Sequence, residues 1–161
     1  MNPAIQIAKH IREVYFGGNW TCVNLKDSLS GVTWQQAITK VHDFNTIATL
    51  VYHMNYYIDA VLKVLQGGPL IAKDALSFDH PPIGSSADWE QLLDKVWSDA
   101  TTFADLVEQL PEQQLGDIFV EEKYGIYYRN LQGIAEHTHY HLGQITLIRK
   151  ILQADEHKES I

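Results

Sequence analysis

Apolar residues recur along this chain at three- and four-residue spacing in four long stretches, the pattern of helices that each bury one face. The first opens at Asn2-Pro3, with proline suited to the first helical position, and runs through Ile7, Ile11, Val14 and Tyr15 to a stop at Gly17-Gly18. The second spans about Thr46 to Gln66; Asp43 or Asn45 is its expected cap, and Gly67-Gly68-Pro69 ends it. A third, about Ala87 to Leu110, sets Trp89, Leu92, Leu93, Val96, Ala100, Phe103, Ala104 and Val107 at helical spacing, and Pro111 terminates it. The last runs from about Gly125 to Ala154, with a polar tail after Asp155 that should fray.

The stretches between are less regular. Residues 19–32, with Trp20, Cys22 and Leu25, predict an irregular connection with room for one short turn. Thr33-Trp34-Gln35-Gln36 has the spacing of a capping box and opens a short helical piece to about Val41. Residues 69–86 contain Pro81-Pro82, Gly84 and Ser85-Ser86 and predict a long crossover loop. The segment 111–124 has room for a small hairpin. No repeat or low-complexity segment appears. The expectation is one all-α domain over residues 1–161, a four-helix bundle with a long crossover connection between its second and third helices.

Histidines interrupt two of the apolar stripes. On the last helix His137 and His141 lie one turn apart, about 6 Å along the axis, on the side that carries Ile134, Ile145, Ile148 and Leu152. His139 projects to the opposite side, with Gln132, Glu136, Thr146 and Lys150. On the second helix His53 shares a face with Leu50, Tyr57, Ala60, Val61 and Val64, while Asn55, Asp59 and Gln66 lie away from it. A single histidine on an apolar face is ordinarily a core residue bonded to a carbonyl or hydroxyl. Three such rings, two of them at i, i+4, are instead the minimum set for a three-histidine metal site. Neutral imidazole nitrogen suits zinc, nickel, copper or iron(II), and three protein ligands leave a coordination position open.

Competing chemistries fit less well. A zinc protease needs glutamate directly after the first histidine, where Thr138 stands. A di-iron bundle needs two Glu-x-x-His units, and only Glu136–His139 has that spacing, on the polar face. Cys22, the single cysteine, excludes an internal disulfide and multi-cysteine zinc sites. His10, His42, His80 and His157 fit surface positions. Trp20, Tyr56, Tyr57, Tyr127 and Tyr140 could line a pocket, but aromatic residues at helical spacing are usually core. No aspartate or glutamate faces the core beside the three histidines on their own helices, so no carboxylate base is evident.

Charge and hydropathy narrow the partners. Twelve basic against 20 acidic residues give a net charge of −8, with no basic run, which argues against nucleic acid and anionic membranes. There is no signal-like segment and no run of 18 apolar residues, so a cytoplasmic protein is expected. Val51, Ile58, Leu62 and Leu65 widen the apolar arc of the second helix beyond one core face, which predicts a homodimer using that surface.

The segment Val51-Tyr-His53-Met-Asn-Tyr-Tyr57, together with His137-Thr-His-Tyr-His141-Leu-Gly-Gln144-Ile, resembles the DinB-like superfamily, which includes the YfiT-type thiol transferases. Asn19-Trp20 after the first helix and Asn45-Thr46-Ile47 at the start of the second extend the likeness over most of the chain. The resemblance implies a four-helix bundle with a long connection, a metal triad of His53, His137 and His141, and a tendency to dimerise. With zinc, nickel or iron the ion expected from the ligand chemistry, it also implies that the metal activates a low-molecular-weight thiol such as bacillithiol or mycothiol as co-substrate. The expected activity is thiol transfer, or hydrolysis, on a small molecule, with Tyr57 and Gln144 lining the substrate pocket. The alternative is a non-catalytic metal-binding or stress-response protein of the same fold.

Overall fold

The computed structural model describes residues 2–159, which are helical throughout their long elements. Six α-helices follow in order: α1 (Pro3–Phe16), α2 (Leu25–Leu29), α3 (Trp34–Ile38), α4 (Ile47–Leu65), α5 (Ser86–Glu108) and α6 (Tyr127–Glu159). Short 3-10 turns lie at Asp74–Leu76, Glu112–Gly116 and Glu122–Tyr124. Among the described residues there is no strand. The hairpin allowed for in 111–124 reduces to one antiparallel bridge, Ile118 with Ile126, beside the bond from Phe119 N–H to the Gly125 carbonyl at 2.8 Å.

Local chemistry sets the boundaries. The Asn2 side chain accepts from the Ala4 N–H ahead of Pro3, and Gly17 closes α1 at φ 110°, a conformation that glycine adopts without strain. Both halves of the Thr33–Gln36 capping box form, but α3 stops at Ile38, short of Val41, because Thr39 turns to extended backbone. The cap of α4 is Thr46, whose hydroxyl accepts from the Thr49 N–H; Asp43 and Asn45 lie ahead of it. Ser85 caps α5 through Asp88. The expected fraying after Asp155 is not seen up to Glu159, since α6 continues that far; Ser160 and Ile161 and the side chain of His157 lie outside the described residues.

Helix α1 packs against α5 and α6, and α4 packs against the same two helices. The core they share includes Tyr15, Ile11, Ile47, Met54, Ile58, Phe103, Leu131 and Ile145, all fully buried or nearly so. Burying side chains of this size stabilises by roughly 1.5–3 kcal/mol each before conformational entropy is set against it. Small α2 closes one flank: Leu25 and Leu29 enter the core, and Arg149 of α6 donates to the carbonyls of Asp27, Ser28 and Ser30 at 2.7–3.0 Å at the end of α2, where helix carbonyls run short of backbone donors.

Two expectations fail on burial. The α4 arc offered for dimerisation is largely covered: Val51 and Ile58 are fully buried, Leu62 nearly so and Leu65 half-buried, because α4 is enclosed between α5 and α6. Trp20 is not core but 97% exposed, and Tyr140 is 65% exposed. Trp20 sits in the turn around Cys22, whose backbone is left-handed at φ 55°, outside any helix that would carry it inward.

Candidate metal centre

Helices α4 and α6 bring His53, His137 and His141 together. His137 Nε2 lies 3.0 Å from His53 Nε2 and 3.0 Å from His141 Nε2, and the three candidate ligand atoms fall within 4.8 Å of one another. The reason is periodicity: one turn of α6 stacks two rings, and the His53 ring of α4 completes the set. His139 is not part of it. Its Nδ1 meets the Ala135 carbonyl at 3.0 Å, and its ring lies 5.1 Å from that of His10 on α1. Glu136 is exposed, so the Glu-x-x-His spacing builds no site.

Outer partners fix two of the rings. The Ser77 hydroxyl donates to the Asp74 carbonyl at 2.6 Å, which leaves its oxygen to accept from His53 Nδ1 at 2.8 Å. His141 Nδ1 donates to Gln144 Oε1 at 2.7 Å. With protons on Nδ1, both rings present an Nε2 lone pair to the focus. A proton on His137 Nε2 could satisfy one of those lone pairs at a time. A cation at the focus satisfies all three nitrogens, so the donor set fits a divalent transition ion.

Electrostatics agree with that donor set. Burial, and then the neighbouring imidazoles, push the His137 pKa down to about 4. Burial and His141 lower that of His53, against a smaller upward pull from Asp74. Burial also lowers His141, opposed by its bond to Gln144. All three rings are therefore neutral at neutral pH, the state that binds metal.

The segment 66–85 between α4 and α5 supplies further contacts to the rings. The Phe78 ring stacks on His53 with centroids 4.0 Å apart and planes 18° from parallel. Tyr57 meets His53 and His137 edge-on at 5.2 and 5.3 Å and donates its hydroxyl to Asp74 Oδ1 at 2.5 Å. Burial, and then Asp74, raise the Tyr57 pKa and keep that hydroxyl protonated. The loop thus supplies one carboxylate, Asp74, and α6 supplies a second at the edge of the same cleft, exposed Glu136. Asp74, Ser77 and Phe78 were not anticipated, because their segment has no periodicity to read; Asp74 and Ser77 act through a single 3-10 turn.

The triad opens onto a cleft of about 580 Å³ lined by His53, His137, Tyr57, Asp74, Lys123, Arg129 and Gly133, among others. Tyr57 lines this cleft with His53 and His137. Gln144 lines a separate cleft of about 410 Å³, with Phe44, Leu50 and Leu147, and meets the triad only as the partner of His141. Cys22 is exposed in its turn, apart from the cleft.

The described residues thus form an all-helical fold with three converging histidines that could hold a metal ion, beside an open cleft. The family model of the DinB superfamily matches residues 23–145, a span that contains all three histidines. The chain belongs to the DinB superfamily. No curated protein and no solved structure matches it. Among the described residues no helix is long and apolar enough to cross a membrane.

Proposed function

We propose that this protein binds one divalent transition ion, zinc, nickel or iron, through His53, His137 and His141. It then acts as a metal-dependent enzyme on a small molecule, with thiol transfer favoured over hydrolysis. The observation behind this reading is the convergence of three Nε2 atoms at 3.0 Å contacts, two of them with Nδ1 tied outward, beside an open cleft. Bound there, such an ion lowers the pKa of a thiol or water and supplies a nucleophile at neutral pH. A low-molecular-weight thiol is the natural co-substrate, because the protein's own cysteine lies away from the cleft.

The chain's own residues have separable parts. Ser77 and Gln144 hold the ligand rings in the tautomer that presents Nε2. Asp74, on the same cleft, is the carboxylate able to take the proton of the nucleophile, and the Tyr57 hydroxyl holds it in place. Phe78, stacked on His53, shields that ring from water. A non-catalytic binding protein would be expected to close the remaining position with a fourth ligand. Among the described residues no further histidine, cysteine or carboxylate joins the cluster, which favours the enzyme.

The same reading takes the four long helices as a bundle whose 66–85 connection crosses one end, in one domain over residues 1–161. It also takes the protein as a cytoplasmic homodimer. With most of the α4 arc covered, exposed Tyr140 and Leu147 on α6 are among the apolar groups open to such an interface. Elemental analysis tests the centre: His141→Ala should lose the metal and His139→Ala should keep it. Equal loss in both variants would sink the assignment. Conjugation of a small thiol to a bimane should likewise depend on His137.

A further inference from the structure

Two of the three arginines hold the fold together. Arg12 pairs with Asp105 at 2.7 Å and Glu108 at 2.6 Å, and Arg149 donates to three carbonyls at the end of α2. Arg129 does neither. It lines the cleft of the triad and makes no ion pair or hydrogen bond with any described residue. Its guanidinium lies over Gly125, where an added Cβ would come within 3.7 Å of Nη1.

One turn further along α6, Gly133 lines the same cleft, and a Cβ added there meets nothing within 4 Å. Glycine weakens a helix interior, and no neighbour requires it at this position. Arg129, Gly133 and His137 follow at four-residue steps on one side of α6, spanning about 12 Å of axial rise. The absent side chain leaves a clear path between an unpaired cation and the metal ligands. Of the two acidic groups on the cleft, Asp74 is engaged by the Tyr57 hydroxyl and exposed Glu136 stands beside His137, two helical turns from Arg129, while Lys123, itself beside Glu121 at 3.0 Å, adds a second positive charge.

We propose that the cleft takes a small molecule with a terminal anionic oxygen group, a carboxylate or a phosphoryl group, which pairs with Arg129 while the reactive atom lies at the triad, an inference that rests on the metal-site reading above. The planar guanidinium can grip either group through two parallel hydrogen bonds. Gly133 is the specificity element that keeps the path between them open.

The test titrates cobalt(II)-loaded full-length protein with mercaptoalkanoates, mercaptoalkyl phosphates and mercaptoalcohols of graded length, following the sulfur-to-cobalt absorption band. At the best-fitting length the acids should bind about tenfold more tightly than the alcohols, the effect of one favourable charged contact. Arg129→Gln should abolish that preference and leave the alcohols unchanged, and Gly133→Leu should weaken acids and alcohols alike with the cobalt spectrum intact. The carboxylate and phosphate arms decide which anion is preferred. Equal affinity of acids and alcohols in the wild type, a preference that survives Arg129→Gln, or unimpaired binding in Gly133→Leu overturns the inference. Failure to take up cobalt overturns the metal-site reading instead. Arg129 is then tested in metal-free protein by the shift of its Nε–H resonance on adding mercaptoalkanoate, and no shift overturns the proposal.

Discussion

Replacing Ser77 by alanine removes the oxygen that receives the His53 Nδ1 proton, without touching a ligand. Ser77 is fully buried and His53 is 5% exposed, so water cannot readily take the place of the lost partner. A buried N–H left unmatched costs about 1–3 kcal/mol. The ring can avoid that cost by moving its proton to Nε2, which puts hydrogen where the metal should bind. Either route weakens the centre. Loss of the outer partner of a ligand histidine lowers metal affinity by roughly 10–100-fold, or about 1.4–2.7 kcal/mol. Zinc competition against a chromophoric chelator at neutral pH measures this directly. Gln144→Leu, which strips the partner of His141, should fall in the same range, and exposed Thr101→Ala should leave affinity unchanged. Wild-type zinc affinity in both Ser77→Ala and Gln144→Leu would refute the idea that these bonds set the ligand tautomers.

Metal-free protein should lose stability on acidification, because the folded pKa of His137 is depressed from 6.5 to about 4 and those of His53 and His141 are lowered too. The unfolded chain takes up protons below about pH 6.5, so this contribution is complete above that pH and is lost as pH falls toward 4. Urea unfolding of the wild type and His137→Leu at pH 7 and pH 5 should show a smaller drop in the variant. Arg149→Ala should destabilise by about 1–2 kcal/mol, since three carbonyls lose a charged donor; an unchanged denaturation midpoint would contradict that role. Gly133→Ala should stabilise by about 0.5–1 kcal/mol, because its Cβ enters open space. A lower melting temperature would show that the glycine serves the backbone and not the cleft.

What could be read in advance was whatever repeats with the helix. His137 and His141 announced themselves by lying one turn apart in an apolar stripe, and His53 by interrupting a second stripe; the fold brings all three together. The four long helices were legible for the same reason, to within a few residues at their ends. The outer groups were not. Asp74, Ser77 and Phe78 reach the rings from a segment whose path depends on tertiary contacts, including the Tyr56 hydroxyl accepting from the Lys73 N–H at 2.8 Å. For Gln144 the face of α6 was legible, but its bond to His141, three residues back, was not. The wide apolar arc of α4 pointed to a second copy of the chain, whereas a helix enclosed between two neighbours needs apolar residues over much of its circumference.

Connections between helices usually accept insertions and deletions freely, because they run over the surface. The 66–85 segment should accept them unevenly. Around Ile71 the chain is exposed and could lengthen without reaching the histidines. From Asp74 to Phe78 a one-residue change in register would withdraw the carboxylate, the hydroxyl and the stacked ring together. Descendants of this chain could therefore retune the centre by altering five loop residues while every ligand stayed in place.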